Sequence, residues 1–321
     1  MSKILITGGS GFIGSHLVEH LLNDKHEIIS LDNHITSTPS NLDHLKGNPN
    51  LKTLHHDITE PIEILEKIDY IFHMASPASP IDYIKIPKET LLTGSIGTKN
   101  MLDLAQKNNA RFLLASTSEI YGDPKEHPQK ETYYGNVNTT GPRSCYDEAK
   151  RFAEALTMAY HRTNKTNVVI ARIFNTYGPG MRPNDGRVVP NFIIQSLKNE
   201  PVTINGDGSQ TRSFCYVTDL VDGLVKLMFS EIQGEAVNLG NPDERTIREL
   251  AKIVRQLTAS ESATIYNGMP ENDPLKRLPD ITKAKKLLNW EPKIDIETGL
   301  KATIEHFKNS LQETSTETTD Q

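Results

Sequence analysis

A tyrosine and a lysine lie four residues apart where the sequence predicts a helix. Tyr146 and Lys150 fall within 144–163, whose apolar residues recur at helical spacing, so the two side chains share one face. A lysine ammonium close to a phenol favours the phenolate and lowers the pKa of the tyrosine from its usual value of about 10. The pair could therefore act as a base toward a substrate hydroxyl near neutral pH.

Hydroxyl and carboxyl side chains follow a predicted strand elsewhere in the chain. The segment Ser116-Thr117-Ser118-Glu119 comes directly after the apolar run 111–115. In open α/β sheets, ligands bind at the carboxyl ends of the strands. A Tyr-x-x-x-Lys pair is common by chance, and this second polar group is what favours a catalytic interpretation of the pair.

A glycine-rich turn near the start of the chain indicates dinucleotide binding. Gly9, Gly11 and Gly14 fit G-x-G-x-x-G between a predicted strand and a predicted helix. Glycines let the backbone approach a pyrophosphate, which then lies at the positive end of the helix dipole. Asp32 ends the second predicted strand, where a carboxylate would bind a ribose diol and repel a 2′-phosphate, so NAD is favoured over NADP. A nucleoside-triphosphate loop is rejected because Ser15 stands where that motif needs lysine.

Apolar runs that alternate with helical patterns predict the fold that positions these residues. The strands are expected at 4–6, 27–31, 51–54, 68–72, 111–115 and 167–173, with helices near 12–22, 89–108 and 144–163. Such alternation indicates α/β architecture, a Rossmann-type doubly wound parallel sheet covered on both faces. We expect an NAD-binding domain over 1–174, a smaller and partly interleaved substrate-binding region over 175–309, and a disordered tail over 310–321.

Composition excludes several classes of protein. The 321 residues carry 35 Lys and Arg against 41 Asp and Glu, a net charge of −6, which argues against a nucleic-acid partner. The 2 cysteines form no C-x-x-C, which excludes a disulfide framework and a cysteine-ligated zinc site, and histidine spacing predicts no other metal site. Without an apolar segment of signal or membrane-spanning length, we expect a cytoplasmic protein without a membrane partner.

Longer segments carry a resemblance to a known family. They are Ala78-Ser79-Pro80, 116–124 (STSEIYGDP), 126–129 (EHPQ), 141–150 (GPRSCYDEAK), 172–178 (RIFNTYG), 185–189 (DGRVV) and 210–217 (QTRSFCYV). From Thr7-Gly8-Gly9 to Trp290-Glu291-Pro292 the chain resembles the extended short-chain dehydrogenase/reductase enzymes that act on nucleotide sugars. Helices of that family pair across a two-fold axis, so the resemblance also implies a homodimer.

The resemblance implies a catalytic triad and one further acid. The triad falls on Thr117, Tyr146 and Lys150, and the acid is Glu119 beside Ser118, with Arg277 as an additional catalytic residue. The family's 4,6-dehydratases carry Asp-Glu at the pair, and its 4-epimerases usually lack the acid. Ser118-Glu119 is similar to the pattern of enzymes that decarboxylate UDP-glucuronate to UDP-xylose through a 4-keto intermediate. A 4-epimerase, a 4,6-dehydratase or a non-catalytic NAD-binding sensor remain alternatives.

The resemblance also implies which residues bind the ligands. Those for a tightly bound, recycled NAD are Gly8, Gly11, Phe12, Ile13, Gly14, Asp32, Asn33, Asp57, Ile58, Ala75, Tyr146, Lys150 and Thr176. Those for a UDP-sugar are Pro80, Tyr83, Glu119, Asn175, Arg187, Val189, Asn191, Arg212, Tyr216 and Arg277. The chain departs from the family at 93–98 (TGSIGT), where many relatives have asparagine at the position of Gly94.

Overall fold

A computed structural model describes residues 1–317, with the burial of individual side chains given up to residue 312. The strands are β1 Lys3–Thr7, β2 Glu27–Asp32, β3 Leu51–His55, β4 Tyr70–His73, β5 Arg111–Thr117, β6 Val168–Ile173, β7 Thr176–Tyr177, β8 Val202–Asn205, β9 Thr211–Ser213, β10 Cys215–Tyr216, β11 Glu235–Leu239, β12 Glu244–Thr246, β13 Thr264–Asn267 and β14 Lys276–Arg277. The α-helices are α1 Phe12–Asn23, α2 Pro80–Lys85, α3 Pro87–Leu92, α4 Thr98–Asn108, α5 Ser144–Asn164, α6 Val188–Leu197, α7 Val217–Met228, α8 Ile247–Thr258, α9 Thr282–Leu288 and α10 Ile296–Glu317.

A seven-stranded parallel sheet forms the centre, in the order β11-β6-β5-β4-β1-β2-β3. The predicted doubly wound sheet is therefore confirmed, with one edge strand, β11, supplied from the second half of the chain. Strand β1 lies between β2 and β4, so the strand order reverses there. In sheets of this kind a ligand crevice opens at such a point, beyond the carboxyl ends of the strands.

Apolar side chains cover both faces of the sheet. On one face α1 and α7 bury Leu17 and Leu220 in a cluster with strand residues, and on the other α4 and α5 bury Met101 and Ala153. Because each strand of the interior faces apolar helices on both sides, its sequence is a continuous apolar run instead of an alternating one. This packing fixes the ends of β1 and β5 and the start of α5, which carry the candidate site.

Residues beyond the sheet form a second core. Phe192 of α6, Leu250 of α8 and Phe307 of α10 pack together with β8, and each of the three is buried. A small sheet beside this core has the order β12-β9-β14, and its parallel β9 and β14 place Arg212 opposite Arg277. The second region thus brings two buried arginines to the edge of the crevice.

The helix predicted over 89–108 is divided in the structure. Helices α3 and α4 are separated by a π-helical turn over Thr93–Gly97. The hydroxyls of Thr93 and Ser95 donate to the carbonyl oxygens of Glu89 and Leu91, at 2.8 and 2.6 Å. Such hydrogen bonds from a side chain to the preceding turn compete with regular helix geometry. The apolar spacing of the sequence does not predict this interruption.

The end of the chain also differs from the prediction. Helix α10 runs to Glu317, whereas the sequence predicts a disordered tail from residue 310. Leucine, glutamine and glutamate propagate a helix well even where apolar residues are few. The rest of that predicted tail, 318–321, lies outside the described residues. Among residues 1–317, neither α10 nor any other helix combines the length and apolar character needed to cross a membrane.

Candidate active site

The glycine turn follows β1 and shapes the floor of the crevice. Gly8 has φ +70°, and its N–H donates to the carbonyl oxygen of Leu31 at 2.7 Å. A Cβ at Gly14 would lie 2.1 Å from the Gly8 carbonyl oxygen, and one at Gly8 would lie 2.9 Å from the Cα of Ala75. Only glycine fits at these two places, so the backbone can come close to a ligand where α1 begins. This cradle fits the pyrophosphate of a dinucleotide.

Asp32 lies at the end of β2, facing the same crevice. Its buried carboxylate accepts hydrogen bonds from the backbone N–H groups of Ser10 and His34, at 3.1 and 2.9 Å, and from the Ser37 hydroxyl at 3.0 Å. These bonds orient the carboxylate while it lines the cleft. The position fits the ribose of NAD, as the sequence predicts.

The tyrosine, lysine and threonine predicted as a triad come together. Tyr146 and Lys150 are buried on α5, and Thr117 ends β5. The Lys150 Nζ donates to the carbonyl oxygen of Ala115 at 2.8 Å and lies 5.9 Å from the centroid of the Tyr146 ring. The Thr117 hydroxyl lies near the Tyr146 phenol and acts to lower its pKa. A phenol, a hydroxyl and an ammonium therefore converge at the carboxyl end of the sheet.

The pKa of Tyr146 departs from its predicted direction. Burial raises it, and the nearby Thr117 side chain and the charge of Arg187 only partly oppose that rise. Burial also lowers the pKa of Lys150 to about 8, although the charge of Glu154 acts in the opposite direction. The predicted net lowering of the Tyr146 pKa below its usual value is wrong, because desolvation of the phenolate outweighs the neighbouring charges.

Two arginines hold the predicted acid. Glu119 lies in a short 3₁₀ turn after β5, next to the buried Ser118. Its carboxylate accepts from both Nη atoms of Arg277, with Nη2 at 3.1 Å, and from the Nη2 of Arg143 at 2.6 Å. Burial raises the pKa of Glu119, but the two guanidinium charges outweigh burial and lower it to about 2. Glu119 is therefore ionised at neutral pH.

The network extends from Arg143 toward the small sheet. Asp273 accepts hydrogen bonds from Arg143 at 3.5 Å and from Arg212 of β9 at 2.9 Å. The guanidinium of Arg143 also lies 5.9 Å from the ring centroid of Tyr83, which stacks on Tyr146 with centroids 5.0 Å apart. These contacts link the arginines, the acid and the candidate base.

Sequence reasoning missed Arg143 and Asp273. Arg143 stands three positions before Tyr146 in a segment that carries the family resemblance, and this proximity is the one signal that could have found it. Asp273 lies in an irregular segment between β13 and β14 and reaches Arg143 across 130 positions of sequence. No local sequence pattern predicts a contact between residues so far apart in the chain.

A cleft of about 720 Å³ joins the two predicted ligand sites. The predicted residues that line it are Gly8, Gly11, Phe12, Ile13, Gly14, Asp32, Asn33, Ile58, Ala75, Pro80, Tyr83, Thr117, Ser118, Glu119, Tyr146, Lys150, Asn175, Thr176, Arg187, Val189, Asn191, Arg212 and Arg277. Two predicted residues lie outside that lining. Asp57 accepts from the Asn33 amide at 2.9 Å and from the Thr59 backbone at 2.8 Å, and the Tyr216 ring packs 5.6 Å from that of Tyr177.

Gly94, where the chain departs from the family pattern, makes a packing contact. A Cβ at this position would lie 2.7 Å from the Cβ of Ala149 and 2.8 Å from its carbonyl oxygen. An asparagine side chain therefore does not fit with α5 in its present place. The missing side chain lets the π turn press against α5 immediately before Lys150.

Comparison with known sequences identifies the family. A profile described as "NAD dependent epimerase/dehydratase family" matches residues 4–240. The chain belongs to this family, and the resemblance to enzymes that act on nucleotide sugars is confirmed.

Individual relatives cover nearly the whole chain. UDP-glucuronic acid decarboxylase 1 from Danio rerio is 52% identical over 310 residues, which cover 97% of this chain and 73% of the relative. UDP-glucuronic acid decarboxylase 1 from Arabidopsis thaliana is 52% identical over 309 residues, 96% of this chain and 70% of the relative. The solved structure of UDP-glucuronic acid 4-epimerase from Bacillus cereus, in complex with UDP-glucuronic acid and NAD, superposes with a TM-score of 0.88 at 29% identity, covering 96% of this chain and 99% of that one.

Proposed function

We propose that this member of the NAD dependent epimerase/dehydratase family is a UDP-glucuronate decarboxylase, which converts UDP-glucuronate to UDP-xylose through a UDP-4-keto intermediate. The observation that carries the proposal is the Glu119 carboxylate, fixed by Arg277 and Arg143 in the cleft that also holds Tyr146. The relatives that share 52% of the sequence across nearly its whole length are named for this activity.

The first half of the proposed reaction oxidises C4 of the sugar. The glycine turn and Asp32 would hold NAD, which would supply a reversible acceptor for the C4 hydride. Tyr146 takes the proton of the C4 hydroxyl, and the nearby Thr117 hydroxyl holds the C4 oxygen. Lys150 keeps a positive charge beside the phenol ring, which opposes the cost of forming a buried phenolate.

Decarboxylation follows from the chemistry of the oxidised sugar. A ketone at C4 is β to the C6 carboxylate. When the C5–C6 bond breaks, carbon dioxide leaves, and the C4 ketone accepts the electrons of that bond as an enolate. C5 then takes a proton from water, C4 receives hydride again, and the C4 oxygen regains its proton from Tyr146, which gives UDP-xylose. Because Glu119 is ionised at neutral pH, it serves this step by accepting a hydrogen bond from the sugar or from a proton-carrying water.

Arginines compensate for the negative charge of the substrate. Arg212 and Arg277 are buried at the edge of the cleft, and Arg187 lines it with its guanidinium paired to Asp185. A planar guanidinium binds phosphate or carboxylate through two parallel hydrogen bonds. We assign the diphosphate and the sugar carboxylate to this group, together with Asn175 and Asn191.

The test is to incubate the purified protein with UDP-glucuronate, without added NAD, and to follow products by proton NMR. UDP-xylose is the expected product, and its formation without added NAD also supports a tightly retained, recycled cofactor. If UDP-xylose forms only after NAD is added, the proposed reaction is supported and the tight retention of NAD is refuted. UDP-galacturonate would indicate an epimerase instead, and no conversion even with NAD would refute the proposed function.

We also propose that the protein is a homodimer paired through α3, the π turn and α5. Leu92, Ile96 and Phe152 project there with exposed fractions of 45%, 45% and 51%. Exposed apolar side chains on neighbouring elements favour association. Sedimentation should give a dimer for the wild type and a monomer for Phe152→Glu, and a monomeric wild type would refute the assembly.

A cytoplasmic location is the last part of the proposal. Cys145 and Cys215 are buried free thiols, which suits a reducing compartment. Fractionation of the source cells should recover the protein with cytoplasmic markers, and recovery from an oxidising compartment would refute this location.

A further inference from the structure

Arg143 contacts the acid Glu119 directly and the candidate base Tyr146 through the Tyr83 ring. Its guanidinium donates to the Glu119 carboxylate at 2.6 Å and lies 5.9 Å from the ring centroid of Tyr83, whose ring stacks on Tyr146 at an interplanar angle of 6°. The Arg143 carbonyl oxygen also accepts the backbone N–H of Tyr146 at 3.0 Å. Acid and base are therefore tied to one residue through separate contacts.

A third contact holds the second terminal nitrogen of the Arg143 guanidinium. Asp273 lies 3.5 Å from Nη1 of Arg143 while Glu119 takes Nη2, so the two carboxylates occupy different nitrogens of the same planar group. The side chain of Arg143 is only 12% exposed, so water screens these charges weakly. A planar fork held at two nitrogens and over a ring has little freedom to rotate.

We propose that Arg143 is a positioning residue for the decarboxylation, holding the Glu119 carboxylate and, through Tyr83, the Tyr146 phenol in one fixed arrangement. This inference rests on the proposed function. A substrate sugar that touches both groups needs their separation to be constant, since displacements of about 1 Å at a reacting centre can cost about a hundredfold in rate. Arg277 supports Glu119 as well, but of the two arginines Arg143 is the one that also packs over Tyr83.

The Glu119 carboxylate has charged and titratable neighbours on several elements. They are Arg277 on β14, Arg212 on β9, Tyr83 on α2, Arg143 at the start of α5, and Tyr146 and Asp147 on α5. Removing the charge of Arg143 leaves Arg277 as the main cation at the carboxylate. We therefore expect the pKa of the Glu119 carboxyl to rise by about 1 to 3 in Arg143→Met.

The main experiment compares Arg143→Met and Arg143→Lys with the wild type. For Arg143→Met we expect kcat for UDP-xylose formation to fall about a hundredfold with KM nearly unchanged, because the arginines assigned to the diphosphate remain. Arg143→Lys should restore the pKa of Glu119 but only part of kcat, since an ammonium is not a planar fork. Wild-type kcat in Arg143→Met, or full recovery of kcat by lysine, would overturn the proposal.

Arg151→Met is the matched control. Arg151 lies on the same helix and donates to the carbonyl oxygens of Ile120 and Tyr134, which belong to the segments beside Glu119. We expect this variant to lose some stability while the pKa of Glu119 and kcat stay as in the wild type. An equal loss of kcat in Arg151→Met would show that the effect of Arg143→Met is general damage to the fold, which would refute positioning.

Carbon-13 NMR titration of the Glu119 carboxyl separates this proposal from the proposed function. The titration measures the pKa of Glu119 without any turnover of substrate. If Arg143→Met fails to fold, Arg143→Lys is the folded variant that is compared with the wild type. A wild type that makes no UDP-xylose would refute the proposed function, whereas an unchanged pKa of Glu119 in Arg143→Met would refute the role of Arg143 by itself.

Discussion

Glu119→Gln tests the central ion pair of the site. The substitution preserves the shape of the side chain and removes its charge. In the wild type the carboxylate accepts from Arg277 and Arg143, and the side chain of Arg277 is only 4% exposed. A glutamine offers one acceptor oxygen to two arginines, and its amide N–H₂ group would face a guanidinium N–H.

The loss of stability follows from these contacts. Breaking a buried ion pair by removing one partner costs about 3 to 5 kcal/mol, because the remaining charge stays buried without compensation. The Glu119 side chain is 16% exposed, so we expect the lower end of that range, about 3 kcal/mol. This corresponds to more than a hundredfold change in the unfolding equilibrium.

The loss also depends on pH, with a definite sign. The pKa of Glu119 is about 2 in the folded chain against an ordinary value of 4.5, so ionised Glu119 stabilises the fold fully above pH 4.5. That stabilisation disappears as the pH falls from 4.5 toward 2. Urea unfolding at several pH values should show a constant gap between wild type and variant down to about pH 5, and a narrowing gap below.

Glu66→Gln is the control for the same chemical change at an exposed pair. Glu66 accepts from Lys52 at 2.7 Å on the surface, where water screens both charges, so Glu66→Gln should unfold nearly as the wild type does. A Glu119→Gln variant that loses no more stability than Glu66→Gln would refute the buried network.

Three further outcomes are expected. Because a Cβ at Gly14 would lie 2.1 Å from the Gly8 carbonyl oxygen, Gly14→Ala should lose its bound NAD, measured by chromatography of the denatured protein, and full retention would contradict the cradle. Tyr146→Phe keeps the ring stacked on Tyr83 and should bind UDP-glucuronate normally by calorimetry while turnover falls about 10²- to 10⁴-fold; normal turnover would place the base elsewhere. The pKa of Lys150 is about 8, so kcat/KM should decline above that pH as the ammonium loses its proton, and a decline that persists in Lys150→Arg would have another source.

Much of the site could be predicted where short segments carry it. Gly8 to Gly14 and Asp32 are positioned by one strand-turn-helix unit and the strand after it, so spacing alone places them. Tyr146 and Lys150 share a helix face for the same reason. Periodicity likewise predicts the parallel sheet, since strands buried on both faces appear as continuous apolar runs.

The remainder depends on contacts between distant segments. Arg143 acquires its role from Asp273 and Glu119, which belong to different elements, and the pKa of Tyr146 depends on burial that no local spacing encodes. The π turn at Thr93–Gly97 reflects hydroxyl back-bonding and the close approach of Ala149. Each of these features needs the folded arrangement before it can be recognised.

The late position of β11 in the chain has a consequence for biosynthesis. Strand β6 ends at Ile173, and its outer neighbour begins only at Glu235, about sixty residues later. While the ribosome adds those residues, the nascent sheet carries an apolar strand with an unpaired edge, which is a template for aggregation. A fragment that stops after Ile173 would keep this edge permanently, so expressing residues 1–174 alone should give an insoluble product even though they contain the glycine turn and the catalytic tyrosine.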